Sequence, residues 1–450
     1  MVADQFQSVF TRENLDPASM PSLPPSKIPS MPDFNITTEG IEKLLLKINT
    51  SKAIGPDQIP NQILKIAAQE IAPVLRFIFQ QSLDTGDLPL DWRKANISPI
   101  YKKGSKTVPA NYRPVSLTSN CCKLLEHIID SQIMRHFAEH NIIAENQHAF
   151  RKARSCESQL ILTAHDLTKN MDNKLKTDMA VLDFSKAFDV MPHHRLLLKL
   201  DHYGVRSKTQ KWICSFLTKR FQRVVVNGVT SVWQPVLSGA PQGTVLGPHL
   251  FLVLINDIHE NVESCTRLFA DDCLLYNTIE SPGDEAVLQR DLDKMVSWAD
   301  KWGMRFNPAK CNTLRLTRDR NPGHTNYEMM GTVLEETKET KYLGIFLQND
   351  LRWNRQTQFA TGKATRVLNF VRRNFYHVSP VVKERLYHTL VRPHLDHATA
   401  AWDPHTSKNI KSIERVQKRA ARFVTNTYGK DTSIRNILAF TRLVSFTRKA

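Results

Sequence analysis

Thr266-Arg-Leu-Phe-Ala-Asp-Asp-Cys-Leu-Leu-Tyr276 sets two adjacent carboxylates, Asp271 and Asp272, between two short apolar arms. Apolar runs on either side of a polar tip read as strand, turn, strand. Like charges this close repel and favour protonation, so the pair stays ionised only with a cation between the carboxylates. The hard cation that takes oxygen ligands in this way is Mg²⁺. An Asp-Asp pair also occurs in solvated turns, so the hairpin alone leaves both readings open.

A second acidic strand end lies upstream. Asp178-Met-Ala-Val-Leu-Asp-Phe184 alternates as a strand and runs into a segment, Ser185 to Leu200, whose later apolar positions suit a helix. Asp183 therefore stands where a buried strand ends. Between the two acidic sites lies Ser238-Gly-Ala-Pro-Gln-Gly-Thr-Val-Leu-Gly-Pro248, a Gly/Pro-rich loop feeding the apolar segment His249 to Ile258. Strand with Asp, Gly-Gln loop with helix, then Asp-Asp hairpin is the order of a polymerase.

With these segments the sequence resembles reverse transcriptases, and among them those of non-LTR retrotransposons of the jockey-like kind. The matching stretches are Lys52-Ala-Ile-Gly-Pro-Asp-Gln-Ile-Pro60, Asn111-Tyr-Arg-Pro-Val-Ser-Leu117, Gln147-His-Ala-Phe-Arg151, Leu182-Asp-Phe-Ser-Lys-Ala-Phe-Asp189, Gly239-Ala-Pro-Gln-Gly-Thr-Val-Leu-Gly-Pro248, Phe269-Ala-Asp-Asp272, Asn307-Pro-Ala-Lys310 and Tyr342-Leu-Gly344. They follow the family's order over about residues 36 to 430.

The resemblance implies an α+β right-hand polymerase fold with helical fingers, a ferredoxin-like mixed palm and a mostly helical basic thumb. It implies RNA-directed DNA synthesis, with an RNA template, a DNA primer, deoxynucleoside triphosphates and two Mg²⁺ ions. Nucleotide addition needs an activated primer hydroxyl and a neutralised pyrophosphate, which two such ions about 4 Å apart supply together. Asp183 and Asp271 are the expected bridging ligands, with Asp272 as an auxiliary carboxylate. Phe188, five residues after Asp183, matches the family aromatic that excludes a 2′-hydroxyl; on a helix it would equally serve the core. Phe184 is expected beside it at the nucleotide. The family uses the Gln242-Gly243 turn to shape the pocket, and glycine there permits close backbone approach. Lys310 matches a lysine that meets the departing pyrophosphate. Arg113 and Arg151 sit in segments that resemble triphosphate-binding motifs, where a bidentate guanidinium suits phosphate. Tyr342, Leu343 and Gly344 match the primer grip.

Composition fits this reading. The 450 residues suffice for two or three lobes with their own cores. No stretch approaches the roughly 20 apolar residues of a membrane span, and the start lacks a signal peptide's basic and apolar regions. An intracellular protein, nuclear or cytoplasmic, is expected. Seven cysteines without a Cys-x-x-Cys pair indicate reduced thiols and no disulfide partner.

Charge is regional. Residues 351 to 450 hold 20 Lys and Arg against 5 Asp and Glu, and so carry 15 of the 17 formal positive charges. At about 100° per residue, Lys408, Lys411, Arg415, Lys418, Arg419 and Arg422 share one arc of a helix. Ile410, Ile413, Val416, Ala420, Phe423 and Val424 share the opposite arc. Such a stripe is either a solvated face or a contact for a nucleic acid backbone, which would relieve the cations' mutual repulsion.

The sequence divides into an arm or linker at 1–35, fingers at 36–177 with a first palm strand near 94–101, a palm at 178–347 and a basic helical thumb at 348–450. Six prolines between residues 17 and 32 predict an arm that does not pack. Helices are expected at about 196–218, 248–258 and 284–302. Ala149 and Ala153 stand where relatives commonly carry glycine, which would stiffen the loop around Arg151. With no room for an endonuclease before the polymerase module and no Cys/His knuckle after it, a truncated element copy or a partial gene model is expected. A relic that binds RNA or RNA–DNA duplex without synthesis is the alternative function.

Overall fold

Strands from two separate stretches of the chain, 94–117 and 220–236, build the first sheet. In the computed structural model, which describes residues 1–428, the strand Lys94–Tyr101 pairs antiparallel with Tyr112–Leu117 and parallel with Arg220–Val226. Val229–Thr230 and Gln234–Val236 both add to the Arg220–Val226 strand. Tyr112–Leu117 is the sheet's edge, a place that tolerates Pro114 because an outward edge needs no ladder donor there. This sheet belongs to one of two compact units, composed of Met1–Phe150, Asp183–Val262 and Asp293–Asn307.

The proline-rich arm packs on that unit, contrary to the expectation from its composition. Glu13 accepts from the backbone N–H groups of His194 and Arg195 and from the Arg195 guanidinium at 3.1 Å. Ser26 Oγ donates to the His202 carbonyl, and Met31 N–H to the Gly204 carbonyl at 2.8 Å. Prolines remove donors but leave every carbonyl able to accept, and Arg206 uses that of Ile28. The helix expected at 196–218 is two helices, His193–His202 and Ser207–Leu217, separated by a turn at Gly204 (φ +84°).

The second unit comprises Arg151–Leu182, Glu263–Leu292 and the chain from Pro308 on. Its sheet runs in the order Glu335–Glu336, Asn312–Leu316, Lys176–Asp183, Asp272–Ile279, Cys265–Phe269. Met179, Ala180 and Leu182 of the central strand are buried, as befits a strand covered on both faces. The helix Cys156–Asp172 buries Leu160, Ala164, Leu167 and Met171, one face at helical spacing. With Leu274, Leu314, Leu368, Trp402 and Phe423 they form one core cluster. Beyond Gln348 the described chain is helical, as expected; the remainder of the expected thumb, 429–450, lies outside the described residues.

One buried charge network holds this sheet. Asp178, 2% exposed, accepts from Arg315 Nε at 2.7 Å, from Arg315 Nη2 and from the Tyr327 hydroxyl, both at 2.5 Å. Removing the cation would strand a buried carboxylate. Arg315→Met should cost about 3 kcal/mol of unfolding free energy. Denaturant titration checks this, and a loss under about 0.5 kcal/mol, the scale of an ordinary surface substitution, would show that the pair holds nothing.

Candidate active site

Phe269 and Asp272 are the closing pair of the acidic hairpin, so its turn is Ala270-Asp271. Ala270 has φ +53°, a left-handed conformation that costs an L-residue roughly 1 kcal/mol and matches the positive φ that tight hairpin turns require. Strain of this kind persists where surrounding structure over-determines it, as at functional sites. Asp271 is half-buried and Asp272 exposed. The strand that begins at Asp272 lies beside the strand that ends at Asp183, and Asp183 is also half-buried. The Asp183 carbonyl accepts from Asn307 N–H at 2.8 Å, and the next residue, Phe184, bridges to Phe306.

Phe184 is 3% exposed, and its ring stacks on that of Phe306 at 4.2 Å between centroids, within the core of its unit. Phe188 is half-buried, its ring 4.6 Å from that of Phe251.

The Ser238–Pro248 loop is bolted to the segment that carries Phe188. Gly239 N–H donates to the Met191 carbonyl at 2.8 Å and Ala240 N–H to the Phe188 carbonyl at 3.1 Å. Gly239 has φ +76°, and a Cβ there would lie 2.4 Å from the Phe188 carbonyl oxygen, so only glycine fits. His193 Nε2 meets the Gly239 carbonyl at 2.7 Å; burial lowers the pKa of this ring, which bonds as the neutral Nε2–H tautomer. Beyond the loop, the buried Glu126 carboxylate accepts from Val245 N–H at 2.7 Å and Leu246 N–H at 3.3 Å, satisfying the start of the helix Leu246–Ile255. Burial raises the Glu126 pKa, and these two donors oppose the rise.

Gln242 and Gly243 occupy the outer part of this loop. The Gln242 carbonyl accepts from Ser116 N–H at 2.8 Å, which ties the loop to the strand of Arg113. Arg113 is exposed and Gly243, φ +108°, is exposed. The first unit thus gathers Arg113, Phe188, Gln242 and Gly243 around two neighbouring segments and one strand.

Other expected residues are placed within their own surroundings. Arg151 is half-buried and follows Phe150, whose carbonyl meets His249 Nε2 at 3.0 Å while His249 Nδ1 meets Asp130 at 2.7 Å. Both partners only accept, so the ring makes both bonds only as imidazolium. Burial lowers its pKa, but the Asp130 carboxylate outweighs this and raises it. Lys310 is exposed in the turn after Pro308. Tyr342 is 2% exposed and its hydroxyl accepts from Gln159 at 3.4 Å; the side chain belongs to the core, and only the turn Leu343-Gly344 reaches the surface there.

The helix Ser407–Thr425 has the expected two faces. Ile413, Val416, Ala420, Phe423 and Val424 are buried, while Lys408, Lys411, Arg415 and Lys418 are exposed. Arg419 and Arg422 are half-buried, and Arg419 donates to Asn369 at 3.1 Å.

Among the described residues no group of three or more His, Cys, Asp and Glu side chains is arranged to hold a metal ion. The donor chemistry of the strand-end carboxylates still fits Mg²⁺, which takes one or two protein carboxylates and completes its shell with waters and substrate phosphates.

Acidic residues thus stand at the ends of two adjacent strands of one sheet, and the Gln242-Gly243 turn lies in the other unit. Residues 100–347 match the family described as reverse transcriptase (RNA-dependent DNA polymerase), and the chain belongs to that family. It is 28% identical over 407 residues to the RNA-directed DNA polymerase from mobile element jockey of Drosophila melanogaster, a match covering 87% of this chain and 44% of the relative. The probable RNA-directed DNA polymerase from transposon BS of the same organism is 27% identical, over 87% of this chain and 45% of its own length. A Pol polyprotein from a type-1 retrotransposable element, R2 of Nasonia vitripennis, is 26% identical over 59% of this chain and 26% of its own. The chain thus spans less than half the length of these curated relatives. Members of the family use divalent metal ions. No helix of the described residues is long and apolar enough to cross a membrane.

Asp189 is a residue the sequence reading left without a role. It stands inside the quoted Leu182–Asp189 motif, so the signal was present. What it touches, Gln242, is 53 positions away and could not be read from spacing.

Proposed function

We propose that the chain is an RNA-directed DNA polymerase that adds deoxynucleotides to a primer 3′-hydroxyl along an RNA template. The observation that carries the proposal is the coincidence of two independent facts: the family match over residues 100–347 and the placement of Asp183 and Asp272 at the ends of adjacent strands. The assignment of fingers, palm and thumb to 36–177, 178–347 and 348–450 is part of the same reading.

Asp183 and Asp271 would hold two Mg²⁺ ions, with Asp272 as the auxiliary carboxylate. When bound, the metal activates the primer hydroxyl and neutralises the departing pyrophosphate. The chain's own groups do the rest. Arg113 and Arg151 bind the triphosphate, to which a guanidinium fork is matched. Gln242 and Gly243 line the nascent base pair, Lys310 neutralises pyrophosphate, and the turn Leu343-Gly344 holds the primer. The basic stripe of Ser407–Thr425 follows the nucleic acid backbone.

Phe188 sets the choice of sugar by filling the space a 2′-hydroxyl would need. Incorporation of deoxy- and ribonucleotides opposite an RNA template, compared between the parent and Phe188→Val, tests this. The parent is expected to extend with deoxynucleotides, and the variant to lose about tenfold or more of its discrimination, the equivalent of about 1.4 kcal/mol. Unchanged selectivity would return Phe188 to the core against Phe251.

A further inference from the structure

The loop and the Phe188 segment are joined by four hydrogen bonds, and three of them use the backbone of residues 188–191. Gly239 and Ala240 N–H groups donate to the carbonyls of Met191 and Phe188, and Ser238 Oγ donates to the Asp189 carbonyl at 2.7 Å. Ser238 Oγ also accepts from Thr11 N–H at 2.9 Å, so the N-terminal arm fixes the same corner. The fourth bond is different. Gln242 Nε2 donates to Asp189 Oδ1 at 2.9 Å, from one side chain to another. A carboxylate only accepts, so it selects one of the two orientations of the Gln242 amide: nitrogen toward Asp189, carbonyl oxygen left for a ligand. A half-buried carboxylate facing an amide is a specific arrangement, since burial raises the pKa of Asp189 and the Gln242 amide offsets part of that rise.

We propose that Asp189 is a positioning residue, which fixes the Gln242 amide with its carbonyl oxygen presented to the incoming nucleotide. The proposal rests on the reading of the Gln242-Gly243 turn as part of the nucleotide pocket. Asp189 itself touches no substrate. Gln242 is the side chain it bonds, the backbone bonds that hold the loop do not involve its carboxylate, and Lys186 and Arg113 act on it only through longer-range charge.

That restriction gives the test. Single-nucleotide addition to a primer annealed to RNA is followed with the full 450-residue chain, and KM for deoxynucleotide and kcat are measured for Asp189→Ala, Gln242→Ala and the double variant. Each single change is expected to raise KM about tenfold, the scale of a hydrogen bond to a charged group, with a smaller effect on kcat. In the double variant KM is expected to rise about tenfold again relative to the parent, and not about a hundredfold, because a residue that acts only through another adds nothing once its partner is gone. Additive effects, or a KM untouched by Asp189→Ala, would overturn the proposal. Should Asp189→Ala melt early, the isosteric Asp189→Asn decides. It is expected to raise KM about threefold in the parent and not at all beside Gln242→Ala, since a neutral acceptor makes a weaker bond; an effect that persists beside Gln242→Ala contradicts the proposal. A parent that does not extend the primer would refute the pocket reading itself, a result distinct from an active parent whose variants behave additively.

Discussion

Asp183→Asn and Asp271→Asn are each expected to abolish primer extension, lowering the rate by about a thousandfold or more, equivalent to about 4 kcal/mol. The change keeps the size of the side chain and removes one negative charge from a site that balances two dications. Asp272→Asn should cost less, about tenfold, because Asp272 is the exposed member of the pair and serves as an auxiliary ligand. Binding of primer-template should survive in all three, as its affinity comes from cations elsewhere. Extension rates at saturating deoxynucleotide, with binding measured separately, check this. Extension by the Asp183 or Asp271 variant within a few-fold of the parent would remove these residues from the metal site.

The second large effect is expected from the basic helix. Each cation that meets a phosphate releases condensed counterions, and the logarithm of affinity then falls with the logarithm of salt by about 0.7 to 0.9 per contact. Lys411, Arg415, Lys418 and Arg422 lie on the arc opposite the buried one. Replacing all four by Gln keeps good helix formers and leaves the apolar face alone. The fold should hold while the salt slope drops by about three and affinity falls by about a hundredfold or more at moderate salt. Rates on bound primer-template should change less. An unaltered slope, with circular dichroism confirming the helix, would reduce the stripe to a solvated face; Arg419, tied to Asn369, is left in place as a structural contact.

What the sequence discloses and what it hides have separate physical origins. The acidic hairpin, the strand ending at Asp183 and the amphipathic helix Ser407–Thr425 were legible because each shows its period within one short window: two for strands, 3.6 for helices. The strand Tyr112–Leu117 was hidden by Pro114, which argues against a strand until its place at a sheet edge is known. Arm packing was hidden for a related reason: composition shows missing donors, but the partners that hold the arm, Arg195, His202 and Gly204, lie well over a hundred residues further on. Motif matching located the candidate site but did not separate side chains that face a ligand from those that face the core. Phe184 and Tyr342 stand in matching segments, yet each is buried against its own unit, on Phe306 and Gln159. Asp189 is the opposite case, a motif residue whose contact appears only when the loop is folded against it.

The central claim is RNA-templated DNA synthesis by this chain, and one measurement addresses it most directly. The purified protein is given an RNA template, an annealed DNA primer, four deoxynucleotides and Mg²⁺, and product length is followed with Asp183→Asn as the control. The predicted result is primer extension to the template end by the parent, lost on chelation of the metal and absent from the variant. A parent that binds the primer-template in a salt-dependent way yet adds no nucleotide, indistinguishable from Asp183→Asn, would contradict the claim and leave a nucleic-acid-binding protein of this family without synthesis.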